Sequence, residues 1–207
     1  SAVAIELSFD RAALESEIEA LLREAGAPDG QLRLIVTRGG RRIAAVEPIP
    51  AHAESLAVAT VAYSPSVILN GVKSLSYAAN MQASRLAKGR GADEAVLVRP
   101  DGTVLEPPTS AIFWVSAEGE PPTPALDDGV LESITPDRLI KALDVAEGSW
   151  QVDDLRTASE AFLASTTREI QAVAAIDGAD LPSAPGPRTQ EAQQAFAETL
   201  GRELRGL

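Results

Sequence analysis

Several scarcities bound this chain before any motif is read. It has no cysteine, so disulfides, thiolate metal sites and a cysteine nucleophile are excluded, and no redox compartment can be inferred from them. Its one histidine, His52, rules out a histidine-rich metal site and leaves a Ser-His-Asp triad only that residue, in an alanine-rich connector. No apolar stretch reaches the roughly 18 residues that a bilayer span needs, and the N-terminus shows neither a basic flank nor a long hydrophobic region of the secretory kind. The cytoplasm is therefore the expected location. Basic residues are also few: 18 against 30 acids, a net charge of −12. That balance argues against general nucleic-acid binding or attachment to anionic membranes. Any phosphate bound here would be held locally, by backbone amides, hydroxyls and a few arginines.

What remains is a globular chain of 207 residues, 45% hydrophobic, enough for one large domain or two small ones. A helix is expected from Phe9 to Ala25, with Ser8 as N-cap and Gly26 as stop. QLRLIVT alternates as a strand, a turn follows at Arg38-Gly39-Gly40-Arg41, and extended runs are expected at Ile43–Val46 and Leu56–Tyr63. Tyr77–Ala87 reads as a helix, EAVLV as a strand, and Asp101-Gly102 as a hairpin turn into TVLE. SAIFWVSA continues the sheet, Thr135–Val145 reads as a helix, and Val152–Ser159 holds a short helical turn. EAFLAS and IQAVAAI are strands, and LPSAPGPRT leads to a final amphipathic helix. Strands outnumber helices and often adjoin one another, which predicts an α+β fold with a mixed, largely antiparallel sheet and flanking helices.

Four places can carry chemistry. Lys73, one of only three lysines, lies between an apolar run ending at Leu69, read as β-type, and the first turn of a helix. An ammonium beside apolar surface tends to lose its proton, and a neutral lysine amine forms imines with carbonyl compounds. Snorkelling to solvent from a strand end is the alternative. Glu106 is followed by Pro107-Pro108, an abrupt exit that would fix its carboxylate at the sheet edge. A solvated strand end explains it as well, but beside Lys73 a fixed anion is what a pyridine ring nitrogen needs in order to stay protonated. In SITPD, Thr135 suits an N-cap and Pro136 the first helical position. Ordinary capping accounts for that pattern, and so does a phosphate cradle of free amides with the Ser133 and Thr135 hydroxyls, to which Asp137 is a mild objection. Ser165, Thr166 and Thr167 follow a buried strand, where hydroxyls serve either the sheet or a bound anion.

KSLSYAANMQASRLAKGRGADEAVLV, DGTVLEPPTSAIFWV, the SIT of ESITPDRL and ASTTREIQAV, in this order, resemble the class IV aminotransferases. These are the fold type IV pyridoxal phosphate enzymes that include branched-chain aminotransferase, D-amino acid aminotransferase and aminodeoxychorismate lyase. The resemblance implies pyridoxal 5'-phosphate as cofactor, with Lys73 as the imine-forming lysine and proton shuttle and Glu106 as partner of the pyridine nitrogen. Tyr77 would stand near the cofactor's phenolic oxygen, and Ile134, Thr135, Ser165 and Thr166 would hold its phosphate. Read from their own position, Arg38, Arg41 or Arg42 in the turn after LRLIVT would bind the substrate carboxylate by a bidentate contact, with a solvated turn as the alternative, and Thr167 of the strand-exit hydroxyls would join in binding it. The resemblance also implies transfer of an amino group between an amino acid and a 2-keto acid, in a homodimer. Aminodeoxychorismate lyase chemistry, releasing pyruvate and 4-aminobenzoate, uses the same lysine, and a non-catalytic member of the fold is a third reading. Two departures stand out: Pro107 and Ala111 occupy places where the family commonly has glycine and asparagine, and the chain begins near the end of the family's N-terminal lobe. Residues 1–63 are accordingly expected to be the remainder of that small domain, and 64–207 the cofactor-binding large domain.

Overall fold

The structure is a computed structural model that describes residues 10–26, 29–37, 39–116, 119 and 121–206. It divides into two compact units, Ser1–Ala51 and His52–Leu207. In the first, α1 (Arg11–Glu24) starts at Asp10, whose carboxylate accepts a hydrogen bond from the Ala12 amide at 3.0 Å; the expected cap, Ser8, lies outside the described residues. β1 (Gln31–Val36) and β2 (Arg42–Glu47) form an antiparallel pair, and Arg42 reaches back to Glu17 of α1 at 2.5 Å.

The second unit contains β3 (Ser55–Ala62), α2 (Ala78–Gly89), β4 (Glu94–Val98), β5 (Ala111–Val115), β6 (Pro122–Pro124), α3 (Ile134–Ala142), β7 (Ala146–Gly148), α4 (Val152–Arg156), β8 (Glu160–Ser165), β9 (Glu169–Ile176), β10 (Ala179–Asp180) and α5 (Pro187–Arg205). Its main sheet runs β4-β3-β9-β8-β5, with β10 beside β9. β3 is parallel to both of its neighbours, whereas the β9-β8 and β8-β5 pairs are antiparallel. The fold is thus α+β with a mixed sheet. The unit boundary falls earlier than the expected 63/64, because β3 hydrogen-bonds β4 and β9 and so belongs to the second unit.

Parallel neighbours need a crossover, and α2 supplies it between β3 and β4. Small residues allow close packing there: Ala83 and Ala87 meet Ala59, Ala95 and Leu97. Alternation along β5 sends Ile112 and Trp114 into one core with Val58, Leu163 and Val173. Phe113 enters another, where it stacks on Phe162 at 5.1 Å beside Leu139 of α3 and Phe196 of α5. Each fully buried side chain of that size contributes about 1.5–3 kcal/mol of hydrophobic burial. α5 is docked at its start by buried Glu160 of β8, which accepts hydrogen bonds from the Thr189 amide at 3.0 Å and the Thr189 hydroxyl at 3.1 Å. Gly186 is required because a Cβ there would collide with the Glu160 carboxylate.

Three local expectations change. Val67–Leu69 is a 3-10 turn, with no partner strand to recruit it, and Val67 and Ile68 are 82% and 88% exposed. Asp101-Gly102 does turn the chain, with Gly102 at φ +90°, and TVLE pairs back on β4 through the Arg99 amide to the Thr103 carbonyl at 2.8 Å, the Leu105 amide to the Leu97 carbonyl at 2.9 Å and the Leu97 amide to the Glu106 carbonyl at 3.2 Å, but as an irregular ladder and not a regular strand. Pro107 and Pro108 bring no N–H groups with which to extend that ladder. α3 begins one residue earlier than expected, with Ser133 as N-cap and Thr135 inside the first turn. Among the described residues no helix is long and apolar enough to cross a membrane.

Candidate active site

At one end of the main sheet the second unit encloses a cleft of about 590 Å3. Three chain segments bring the predicted residues to it. The first is the loop from the 3-10 turn to α2, which carries Lys73 and Tyr77; the second is the exit from Val104 and Leu105, which carries Glu106. The third wall combines the start of α3, with Ile134 and Thr135, and the β8–β9 turn, with Ser165, Thr166 and Thr167. His52, Ser110 and Arg168 also line the cleft, and no local motif marks these three as cofactor or substrate residues.

Glu106 is fixed as its prolines suggest. The Leu131 amide donates to Glu106 Oε1 at 3.0 Å. The Pro108 carbonyl that follows accepts from Asn80 Nδ2 at 3.0 Å and from the Tyr77 hydroxyl at 3.3 Å, so the start of α2 holds the loop. Burial pushes the Glu106 carboxyl up to about 7, against the opposing pull of the Leu131 amide and the Lys73 charge. Lys73 and Glu106 both line this cleft. Lys73 itself is exposed, which corrects the expectation that apolar surroundings bury it: its neighbours Val67, Ile68 and Leu75 point to solvent.

At the α3 start, Ser133 makes no side-chain cap bond, and the first-turn amides of a helix have no intrahelical acceptor. Thr135 is buried and Ile134 is exposed. Asp137 is no obstacle to an anion, because its carboxylate pairs with Lys141 at 2.7 Å and does not line the cleft. Ser110 is 8% exposed, and among the described residues its hydroxyl has no hydrogen-bond partner. Continuing the Ala111–Ala164 register by one residue sets Ser110 opposite Ser165. Arg41 is exposed in the β1–β2 turn of the first unit, where its backbone bonds Thr37; Arg38 lies outside the described residues.

An amine, a fixed carboxylate and a wall of hydroxyls and helix-start amides share one cleft. Residues 1–176 match the family model described as Amino-transferase class IV. The chain belongs to the class IV aminotransferases. D-alanine aminotransferase of Bacillus licheniformis is 30% identical over 96% of this chain and 77% of that protein. A putative branched-chain-amino-acid aminotransferase of Methanocaldococcus jannaschii is 38% identical over 55% of this chain, so the chain spans only 41% of that relative. A hypothetical aminotransferase from Mycobacterium tuberculosis, solved in a PLP-bound form, superimposes with a TM-score of 0.78 at 25% identity, covering 91% of this chain and 75% of that one. Class IV aminotransferases use pyridoxal phosphate, and the cleft suits it: the donors that a phosphate needs lie on one wall, and the amine and carboxylate lie on the others.

Proposed function

We propose that this class IV aminotransferase chain catalyses pyridoxal phosphate-dependent transfer of an amino group between an amino acid and a 2-keto acid. The supporting observation is the cleft shared by Lys73 and Glu106, in which the lysine charge is felt by the carboxylate. When bound, pyridoxal phosphate supplies an electron sink for the carbanion formed at the substrate α-carbon. Lys73 Nζ would attach the cofactor and then carry the proton between that carbon and the cofactor, acting as both nucleophile and general acid-base. Glu106, anchored by the Leu131 amide, would hold the pyridine nitrogen in its protonated form. The Ile134 and Thr135 amides with the Ser165 and Thr166 hydroxyls would hold the phosphate. Tyr77 would face the phenolic oxygen while its hydroxyl steadies the Glu106 loop. Thr167, beside the phosphate-binding hydroxyls on the cleft, would take the substrate carboxylate.

The protein would act as a homodimer. The large apolar side chains flanking Lys73, with Leu75 97% exposed, are the surface that a second copy would cover, closing the lysine side of the cleft. The test is an assay of the purified chain with pyridoxal phosphate, a panel of D- and L-amino acids and 2-oxoglutarate, with aminodeoxychorismate run in parallel. Keto acid formation that needs the cofactor is the expected result. Pyruvate release from aminodeoxychorismate without amino transfer would assign the lyase reaction, and failure to bind pyridoxal phosphate would leave neither reading standing.

A further inference from the structure

The β8–β9 turn, Thr166-Thr167-Arg168, is held from behind by a buried ion pair. Arg168 Nη2 donates to Glu94 Oε2 at 2.6 Å and Arg168 Nη1 to Gln171 Oε1 at 2.8 Å. Gln171 Nε2 in turn donates to the Ala53 carbonyl at 2.6 Å, beside the cleft residue His52. Glu94 and Gln171 are 6% and 5% exposed, and the Arg168 side chain 16%. Glu94 stands alone as a carboxylate in the otherwise apolar β4, and its other oxygen faces Ser84 of α2 at 3.5 Å. α2 is the helix whose first turn, through Asn80, holds the Pro108 carbonyl of the Glu106 loop. Both carboxylate-bearing and hydroxyl-bearing walls are therefore referred to one helix.

Two physical considerations show that the pair serves more than cohesion. A buried ion pair is a poor source of stability, since desolvating two charges offsets most of their attraction. The backbone it braces is also strained: Glu169, the next residue, has φ +52°, a left-handed conformation that a non-glycine residue keeps only where its surroundings enforce it. We infer that Glu94 and Arg168 are positioning residues, which lock the Thr166–Thr167 turn in the geometry that receives the phosphate of the cofactor before it arrives. The inference rests on the functional reading above, and it names residues that touch neither the amine nor the acid of that reading.

The experiment compares the wild type with Glu94→Gln, which keeps the volume and removes the charge, and with Glu94→Gln/Arg168→Met, which removes both charges and leaves no unpaired cation. Hydrogen exchange of the ligand-free proteins should show the Ser165–Ile170 hairpin end exchanging about tenfold faster in both variants, with no such change in α5. Pyridoxal phosphate should bind about tenfold more weakly to both, whereas pyridoxal, which lacks the phosphate, should bind as it does to the wild type. The double variant should recover the melting temperature lost in the single one without recovering the affinity, a separation that a purely structural pair would not give. Unchanged exchange at the hairpin end would overturn the inference whether or not the cofactor binds, and so would an affinity that returns together with stability. A wild type that binds no pyridoxal phosphate would instead overturn the functional reading.

Discussion

The two sides of the cleft are built differently. The hydroxyl wall sits where β8 turns into β9 and is braced by charged and amide groups that are almost fully buried. The Lys73 side is a loop in which the bonds around Lys73 are short-range, such as the Val72 amide to the Leu69 carbonyl at 3.0 Å and the Ser76 amide to Ser74 Oγ at 3.0 Å, and the Tyr77 hydroxyl at its end reaches Pro108 at 3.3 Å. Its large side chains face solvent. The hydroxyl wall is thus held by buried groups of the second unit, while the Lys73 side presents apolar surface to solvent. The contrast predicts that substitutions behind the first wall act on phosphate binding and those on the second act on turnover.

The largest effect expected from breaking either side is at the lysine. Lys73→Ala should reduce amino transfer by roughly 10²–10⁴-fold, read as turnover at saturating cofactor, and should leave the melting temperature nearly unchanged because the residue is exposed. Glu106→Gln should act in opposite directions on activity and stability. The folded-state carboxyl sits at about 7 against an ordinary 4.5, so between those values the folded protein binds the extra proton and stability falls as pH rises. The charged carboxylate should cost up to about 3 kcal/mol above pH 7. Glu106→Gln should therefore melt higher than the ligand-free wild type at pH 8, and the gap should close toward pH 4.5, while turnover drops. Ile68→Asp places a charge on the surface that the second copy would cover and should shift the sedimentation profile from dimer to monomer; an unchanged profile would rule out that surface as the interface. The smallest effect belongs to Tyr77→Phe, which removes one long hydrogen bond to Pro108 while Asn80 keeps another. It should cost about 0.5–1 kcal/mol in thermal unfolding.

Much of this architecture is legible in the sequence, and what is not has identifiable causes. β8 and β9 follow from their apolar runs, and their hydroxyl turn lands in the cleft as expected. Val67–Leu69 misleads because a short apolar run carries no periodicity that separates a strand from a turn. Lys73 misleads for a related reason: apolar neighbours in sequence bury a side chain only if something packs on them, and here they face outward. The Glu94–Arg168 pair joins positions 74 residues apart, beyond any local pattern, although one acid in the run EAVLV is the trace it leaves. Ser110 joins the cleft lining with no local motif in TSAIF to mark it.

The most direct test is to incubate the purified protein with pyridoxal phosphate, reduce it with borohydride and map the labelled peptide by mass spectrometry. The account predicts a single pyridoxyl group on Lys73, its yield lowered in Glu106→Gln. Label on Lys88 or Lys141, or none on Lys73, would contradict it.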